Sequence, residues 1–119
     1  MTMARQAVGA YGERCAVRHL VEAGLRVVAR NWRCTHGEID IIAWDGDVLA
    51  FCEVKTRRSD TFGSPSEAVV GSKARRLRRL AAHWLQLTGA HPRQVRLDVI
   101  EVYAPKSGAA RVDHLKGAF

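Results

Sequence analysis

Asp45-Gly46 separates two runs of β-prone residues, Gly37–Trp44 and Val48–Thr56. An aspartate-glycine step in that setting is among the strongest short-range hairpin signals. A hairpin fixes which side chains share a face, because side chains alternate along a strand and a slip of one residue exchanges the faces. With Asp45-Gly46 as a two-residue loop, Trp44 pairs with Asp47, Asp40 faces Phe51 and Glu38 faces Glu53. Asp40, Glu53 and Lys55 then project from one side of the sheet, with Asp40 diagonal to Glu53.

Carboxylates gathered on one sheet face destabilise it and raise one another's pKa. A divalent cation removes the conflict, and oxygen-only ligands suit a hard ion, Mg²⁺ or Mn²⁺. A neighbouring lysine holds an attacking water or neutralises charge on a phosphoryl group, while the metal polarises that group and acidifies bound water. Asp with Glu-x-Lys is therefore a coherent kit for phosphodiester hydrolysis. An aspartate near a lysine in a strand is more often a solvated surface pair. Here the flanking residues oppose that reading: Ile39, Ile41 and Ile42 surround Asp40, and Phe51, Cys52 and Val54 surround Glu53. A strand covered by helices does not carry charges without a purpose.

The rest of the chain supplies the covering helices. Ala4–Ala23 reads as a helix with Ala16, Val17, Leu20 and Val21 as its apolar stripe and Gly24 as its stop. Glu13, three and four residues before Ala16 and Val17, lies on that stripe. Leu25–Arg33 is a strand and Cys34–His36 a short loop. Arg57–Pro65 reads as a loop and Ser66–Val70 as a helical turn. Ser72 caps a helix over Lys73–Leu87, whose stripe is Leu77, Leu80, Ala81 and Trp84. Lys73 sits on this stripe, another charge aimed inward. Gln94–Tyr103 and Val112–Leu115 are the last strands. The order α-β-β-β-α-β-β in 119 residues makes one domain over residues 1–119, an α/β sandwich with a mixed sheet.

Nineteen Lys and Arg against twelve Asp and Glu leave a net charge of +7. Five of the seven residues Lys73–Arg79 are basic, and no acid occurs from Ala68 to Leu97. Arg75 and Arg79 stand four apart and repel, a cost that phosphates relieve. A polyanion, most simply nucleic acid, is the expected partner, with phosphates held by Arg57, Lys73, Arg75, Arg76, Arg78 and Arg79. A membrane surface fits less well, since the Ala-rich stripe lacks the bulk of a lipid-inserting face. No segment reaches the ~20 apolar residues of a membrane span, and Met1–Ala10 contains no signal-peptide core. Cys15, Cys34 and Cys52 are too widely spaced for a zinc motif and odd in number, so the thiols are expected reduced, mostly buried, in the cytoplasm.

The combination of Gly12-Glu13, Gly37-Glu38-Ile39-Asp40-Ile41-Ile42-Ala43, Glu53-Val54-Lys55-Thr56-Arg57, Phe62-Gly63-Ser64-Pro65, Lys73 with Leu77, Leu97-Asp98-Val99 and the closing Ala118-Phe119 resembles the YraN-like bacterial family of the PD-(D/E)XK nuclease superfamily. Ile39 stands where the superfamily name has proline. The resemblance implies a restriction-endonuclease-like three-layer sandwich, a mixed central sheet flanked by helices, and relatedness to Holliday junction resolvases. It implies metal carboxylates at Asp40 and Glu53, a helix acid at Glu13, a catalytic lysine at Lys55 and a further basic residue at Lys73. The expectation is a Mg²⁺- or Mn²⁺-dependent DNA endonuclease. Junction cutting takes two sites, so a homodimer would accompany it. The alternatives are a nucleic-acid-binding module without catalysis and a protein-interaction adaptor on the same fold.

Overall fold

The structure, a computed structural model, describes residues 3–58 and 71–119. The elements are α1 (Met3–Glu22), β1 (Arg26–Cys34), β2 (Gly37–Asp45), β3 (Val48–Arg57), α2 (Gly71–Thr88), β4 (Gln94–Tyr103) and β5 (Arg111–Leu115). They follow the order expected from the sequence, with ends moved by one or two residues. The loop expected through Pro65, beyond Arg58, lies outside the described residues, as do the turn Ser66–Val70 and the motif Phe62-Gly63-Ser64-Pro65.

The five strands stand side by side in chain order. β1, β2 and β3 form an antiparallel meander, β4 runs parallel to β3, and β5 returns antiparallel to β4. The parallel step requires a crossover, and α2 lies within it. The sheet is therefore mixed, and the two helices cover opposite faces. Ala16 and Leu20 of α1 pack with Ile41, Ala43, Ala50, Cys52, Ile100 and Val102. Leu77, Leu80, Ala81 and Trp84 of α2 pack with Ile42, Leu49, Phe51 and Leu97.

The stripe of α2 is buried at all four expected positions. That of α1 is narrower than expected. Val21 is 56% exposed, because it lies a further 100° around the helix from Leu20 and turns past the sheet. Gly24, at φ +92, ends α1. Leu25 N–H donates to the Leu20 carbonyl at 2.9 Å and Gly24 N–H to that of Val21 at 3.0 Å, the paired bonds of a glycine-terminated helix.

The hairpin register differs from expectation by two residues. Asp45 remains in the strand and pairs with Val48, and Ile42, not Asp40, pairs with Phe51. The loop is Gly46-Asp47. Gly46 takes φ +64 at the first loop position, where two-residue loops of type II′ place glycine. Arg93 holds the turn to the start of β4, its Nε donating to Asp47 Oδ2 at 2.7 Å. Because the shift is even, face parity survives, and Glu53 and Lys55 still share a side.

Gly12 sets the distance between α1 and the sheet. A Cβ at this position would lie 1.8 Å from Thr56 Oγ1 and 2.8 Å from Thr56 Cβ. Gly12→Ala is expected to destabilise by about 1–3 kcal/mol through overpacking. Thr56→Gly in the same chain should recover most of that loss in urea unfolding. Equal destabilisation with and without Thr56 would mean that helix propensity, not contact, governs the position.

Candidate metal centre at a fork in the sheet

Asp40 occupies the point where the regular ladder of β2 stops. The β2–β3 register ends at Ile41↔Cys52, and one step further Asp40 would meet Glu53. Instead the Val54 N–H donates to Asp40 Oδ2 at 2.8 Å, so a carboxylate stands in for a ladder acceptor. Alternation in β2 breaks at the same place. Ile39 joins Ile42 in the cluster under α2, while Ile41 faces α1. Asp40 thus lines cavities on both sides, one of about 460 Å³ toward α1 and a cleft of about 30 Å³ toward α2. The diagonal Asp40–Glu53 arrangement on a single face is replaced by a carboxylate in the fork itself.

Glu53 and Lys55 approach from the α2 side. Glu53 Oε1 lies 3.3 Å from Lys73 Nζ and 3.6 Å from Lys55 Nζ. Lys73 reaches the strand because it precedes Leu77 by one helical turn, on the buried side of α2. Burial holds the Lys55 ammonium below its ordinary pKa, and the adjacent Lys73 adds to the effect. The small cleft is bounded by Glu38, Asp40, Glu53, Lys73 and Arg76, and its volume matches roughly one water molecule.

Glu13 approaches from the other side and borders the larger cavity with Asp40, Val54, Thr56 and Arg58. Glu13 and Glu53 therefore flank Asp40 from opposite faces, but these acids do not gather into one compact ligand set: among the described residues, only Cys52, Asp98 and His114 bring three such ligand atoms within 4.8 Å of one another. Glu38, across the ladder from Arg33, is a further acid at this place, with Arg33 Nε at 3.2 Å from its Oε2. Its apparent pairing with Glu53 in the two-residue-shifted register hid it as a site residue. Burial pushes Asp40 up to about 6, reinforced by the charges of Glu13, Glu38 and Glu53 and opposed by the Val54 donor. Glu13 is also raised, by burial and then by Glu38.

Arg75, Arg76, Arg78 and Arg79 are exposed on α2, and Arg76 borders the cleft. Arg57 is half-buried at the end of β3. Cys15 and Cys34 are half-buried free thiols, and only Cys52 is fully buried, so the thiols are less enclosed than expected. No helix among the described residues is long and apolar enough to cross a membrane.

The compact group of potential ligands lies elsewhere. Among the described residues, Cys52, Asp98 and His114 bring ligand atoms within 4.8 Å of one another. Asp98 is already saturated there: it accepts from Arg96 Nε at 2.9 Å and the Gly117 N–H at 2.9 Å, and lies 2.7 Å from His114 Nε2. Burial, then the Asp98 charge, raises the Cys52 thiol far from ionisation. Both oxygens of Asp98 are already engaged by Arg96, His114 and the Gly117 N–H, so the trio reads as a structural network.

The molecule is thus an α/β protein with a mixed five-stranded sheet and an acid–lysine cluster at the β2–β3 fork. The family model described as Uncharacterised protein family UPF0102 matches residues 12–102, a span that contains every acid and lysine of the fork. The chain is 66% identical over 119 residues to a UPF0102 protein of Salinispora arenicola, covering all of both chains. It is 58% identical over 114 residues to one of Beutenbergia cavernae, covering 96% of this chain and 97% of that one. It belongs to the UPF0102 family.

Proposed function

We propose that this protein is a metal-dependent DNA endonuclease with a restriction-endonuclease-like sandwich fold. The observation that carries the reading is Asp40: a carboxylate that replaces a ladder acceptor for the Val54 N–H and lines one cavity with Glu13 and another with Glu38, Glu53 and Lys73. Mg²⁺ and Mn²⁺ sites use one or two carboxylates and leave the remaining positions to water and substrate phosphate. Asp40 and Glu53 would hold the ion, with Glu13 on the opposite side completing or orienting the set. When bound, the ion would polarise the phosphoryl group and acidify water. Lys55, kept low by burial, would position the attacking water or balance charge that develops on the phosphate. Lys73 would hold Glu53, and the exposed arginines of α2 would grip flanking phosphates in the cytoplasm, with no membrane involved.

Branched, single-stranded and duplex DNA incubated with Mg²⁺ or Mn²⁺ tests the reading. Cleavage of at least one is expected, falling roughly 10²–10³-fold in Asp40→Ala and in Lys55→Ala. Cleavage unchanged in both variants would come from a contaminant and defeat the assignment. One observation favours a second reading: Glu53 is already ion-paired with two lysines, as suits a binding module without turnover. That module would bind DNA with a strong salt dependence and no effect of metal. An adaptor would show no DNA affinity near physiological salt. Sedimentation of the protein with a junction tests the homodimer.

A further inference from the structure

Asn31 stands beside the fork with a conformation that needs a reason. It lies between the pairs Arg30↔Ile41 and Trp32↔Ile39, opposite Asp40. Its φ is +50, and among the described residues no other non-glycine has a positive φ. That region is uncommon for residues with a Cβ, and asparagine is one of the few that enter it readily. With its nitrogen toward the acids, the Asn31 amide donates to Glu13 Oε1 at 2.5 Å and to Glu38 Oε1 at 3.0 Å. The reverse orientation would set three acceptor oxygens against one another, so the donor orientation is the one the contacts require.

We propose that Asn31 is a positioning residue for the Asp40 site: its amide clamps Glu13 of α1 to Glu38 of β2 and thereby makes Glu38 a fourth acid of that site. The proposal rests on reading the fork as a metal centre. A carboxamide carries two N–H donors, enough for one bond to each carboxylate. One neutral group thus ties α1, β1 and β2 together next to Asp40. Arginine could not replace it without cancelling the negative charge that a cation needs. Arg33 Nε lies 3.2 Å from Glu38 Oε2, and the clamp uses the other oxygen, Oε1. Without the amide, the two like charges repel, and the acids flanking Asp40 lose their fixed places. Groups that orient ligands without touching the ion are worth roughly 10–100-fold in metal affinity.

Asn31→Gly is the informative variant, because glycine keeps the left-handed backbone and removes only the amide. Calorimetry with Mn²⁺ alone, on the full chain, is expected to show binding weakened roughly tenfold, with the thermal midpoint lowered by loss of the two hydrogen bonds to Glu13 and Glu38. In a Glu13→Gln, Glu38→Gln background the same substitution should add no further weakening. An equal loss in both backgrounds, or unchanged affinity in Asn31→Gly, would overturn the clamp. If the unmodified chain binds no Mn²⁺, the metal-centre reading fails by itself. The clamp is then decided by thermal midpoints: the shifts of Asn31→Gly and Glu13→Gln must be non-additive, and additive shifts reject it.

Discussion

Asp40→Asn is expected to make the metal-free protein more stable at pH 7.5 and to abolish Mn²⁺ binding. The sign follows from the direction of the shift. Burial and neighbouring acids raise Asp40 from an ordinary value of 3.8 to about 6, so its ionised form is disfavoured in the folded chain relative to the unfolded one. Above pH 6 the group is charged in both states, and the full penalty, about 3 kcal/mol at 1.36 kcal/mol per unit, opposes folding. As the pH falls from about 6 towards 4, the folded state takes up the proton first and the penalty fades. Asparagine can keep an oxygen toward the Val54 N–H and carries no charge. Urea unfolding should therefore show a gain of about 1–3 kcal/mol at pH 7.5 that shrinks at pH 5. A loss of stability at pH 7.5 would mean that Lys55 and Lys73 already compensate Asp40, and that the fork has no use for a cation. A group that lowers stability in the empty protein is the expected signature of a functional site.

The sequence carried the element order because its periodicities are long and its stops are explicit. Leu77, Leu80, Ala81 and Trp84 repeat at helical spacing, and Gly24 and Gly89 punctuate the helices. Face parity along β3 was readable for the same reason. The hairpin register was not. A two-residue shift leaves every side chain on its face, so the pattern cannot choose between Asp45-Gly46 and Gly46-Asp47 as the loop; the contacts that accompany the observed loop are distant in sequence, as when Arg93 meets Asp47, 46 positions away. The fork was invisible because it is a departure from a strand's regular pattern, and regularity is what a sequence pattern reports. Two hints were present. Asn31 interrupts a β-prone run with a residue suited to a left-handed backbone. Glu38 lies two positions before Asp40, but the regular hairpin count places it opposite Glu53, which reads as strand pairing and not as part of a site. The convergence of Glu13 and Lys73 from opposite helices could be foreseen only as inward-pointing charge, without the strand separation that brings them to one aspartate.

The second large effect concerns Asp98, where the same residue type behaves oppositely. Asp98 is fully buried, and burial alone would raise it. His114, Arg96 and the Gly117 N–H overcome burial and hold its carboxyl below the ordinary range. A depressed carboxylate contributes stability above its unfolded pKa and loses it as the pH falls through its folded value, the reverse of Asp40. The network reaches further: Arg96 Nη1 lies 3.0 Å from Asp45 Oδ2, and Lys116 Nζ 3.4 Å from the same oxygen. One carboxylate therefore fastens β5 and the chain's last residues to β4 and, through Arg96, to the end of β2. Asp98→Ala strands the Arg96 and His114 donors in a buried setting, so a loss of about 3–5 kcal/mol is expected in urea unfolding at pH 7.5. Asp98→Asn, which keeps the shape and the Gly117 acceptor, should lose less. Zn²⁺ should leave the thermal midpoint of the unmodified chain unchanged, since each oxygen of Asp98 is already engaged by Arg96, His114 or the Gly117 N–H. A rise of several degrees with Zn²⁺, or an Asp98→Ala protein as stable as its parent, would make Cys52, Asp98 and His114 a ligand set and not a fastening. The contrast between the two aspartates is what separates architecture from site here. Where partners of opposite charge satisfy the acid, it holds the chain together; where acids crowd it, it costs stability, and the cation we propose for the fork would relieve that cost.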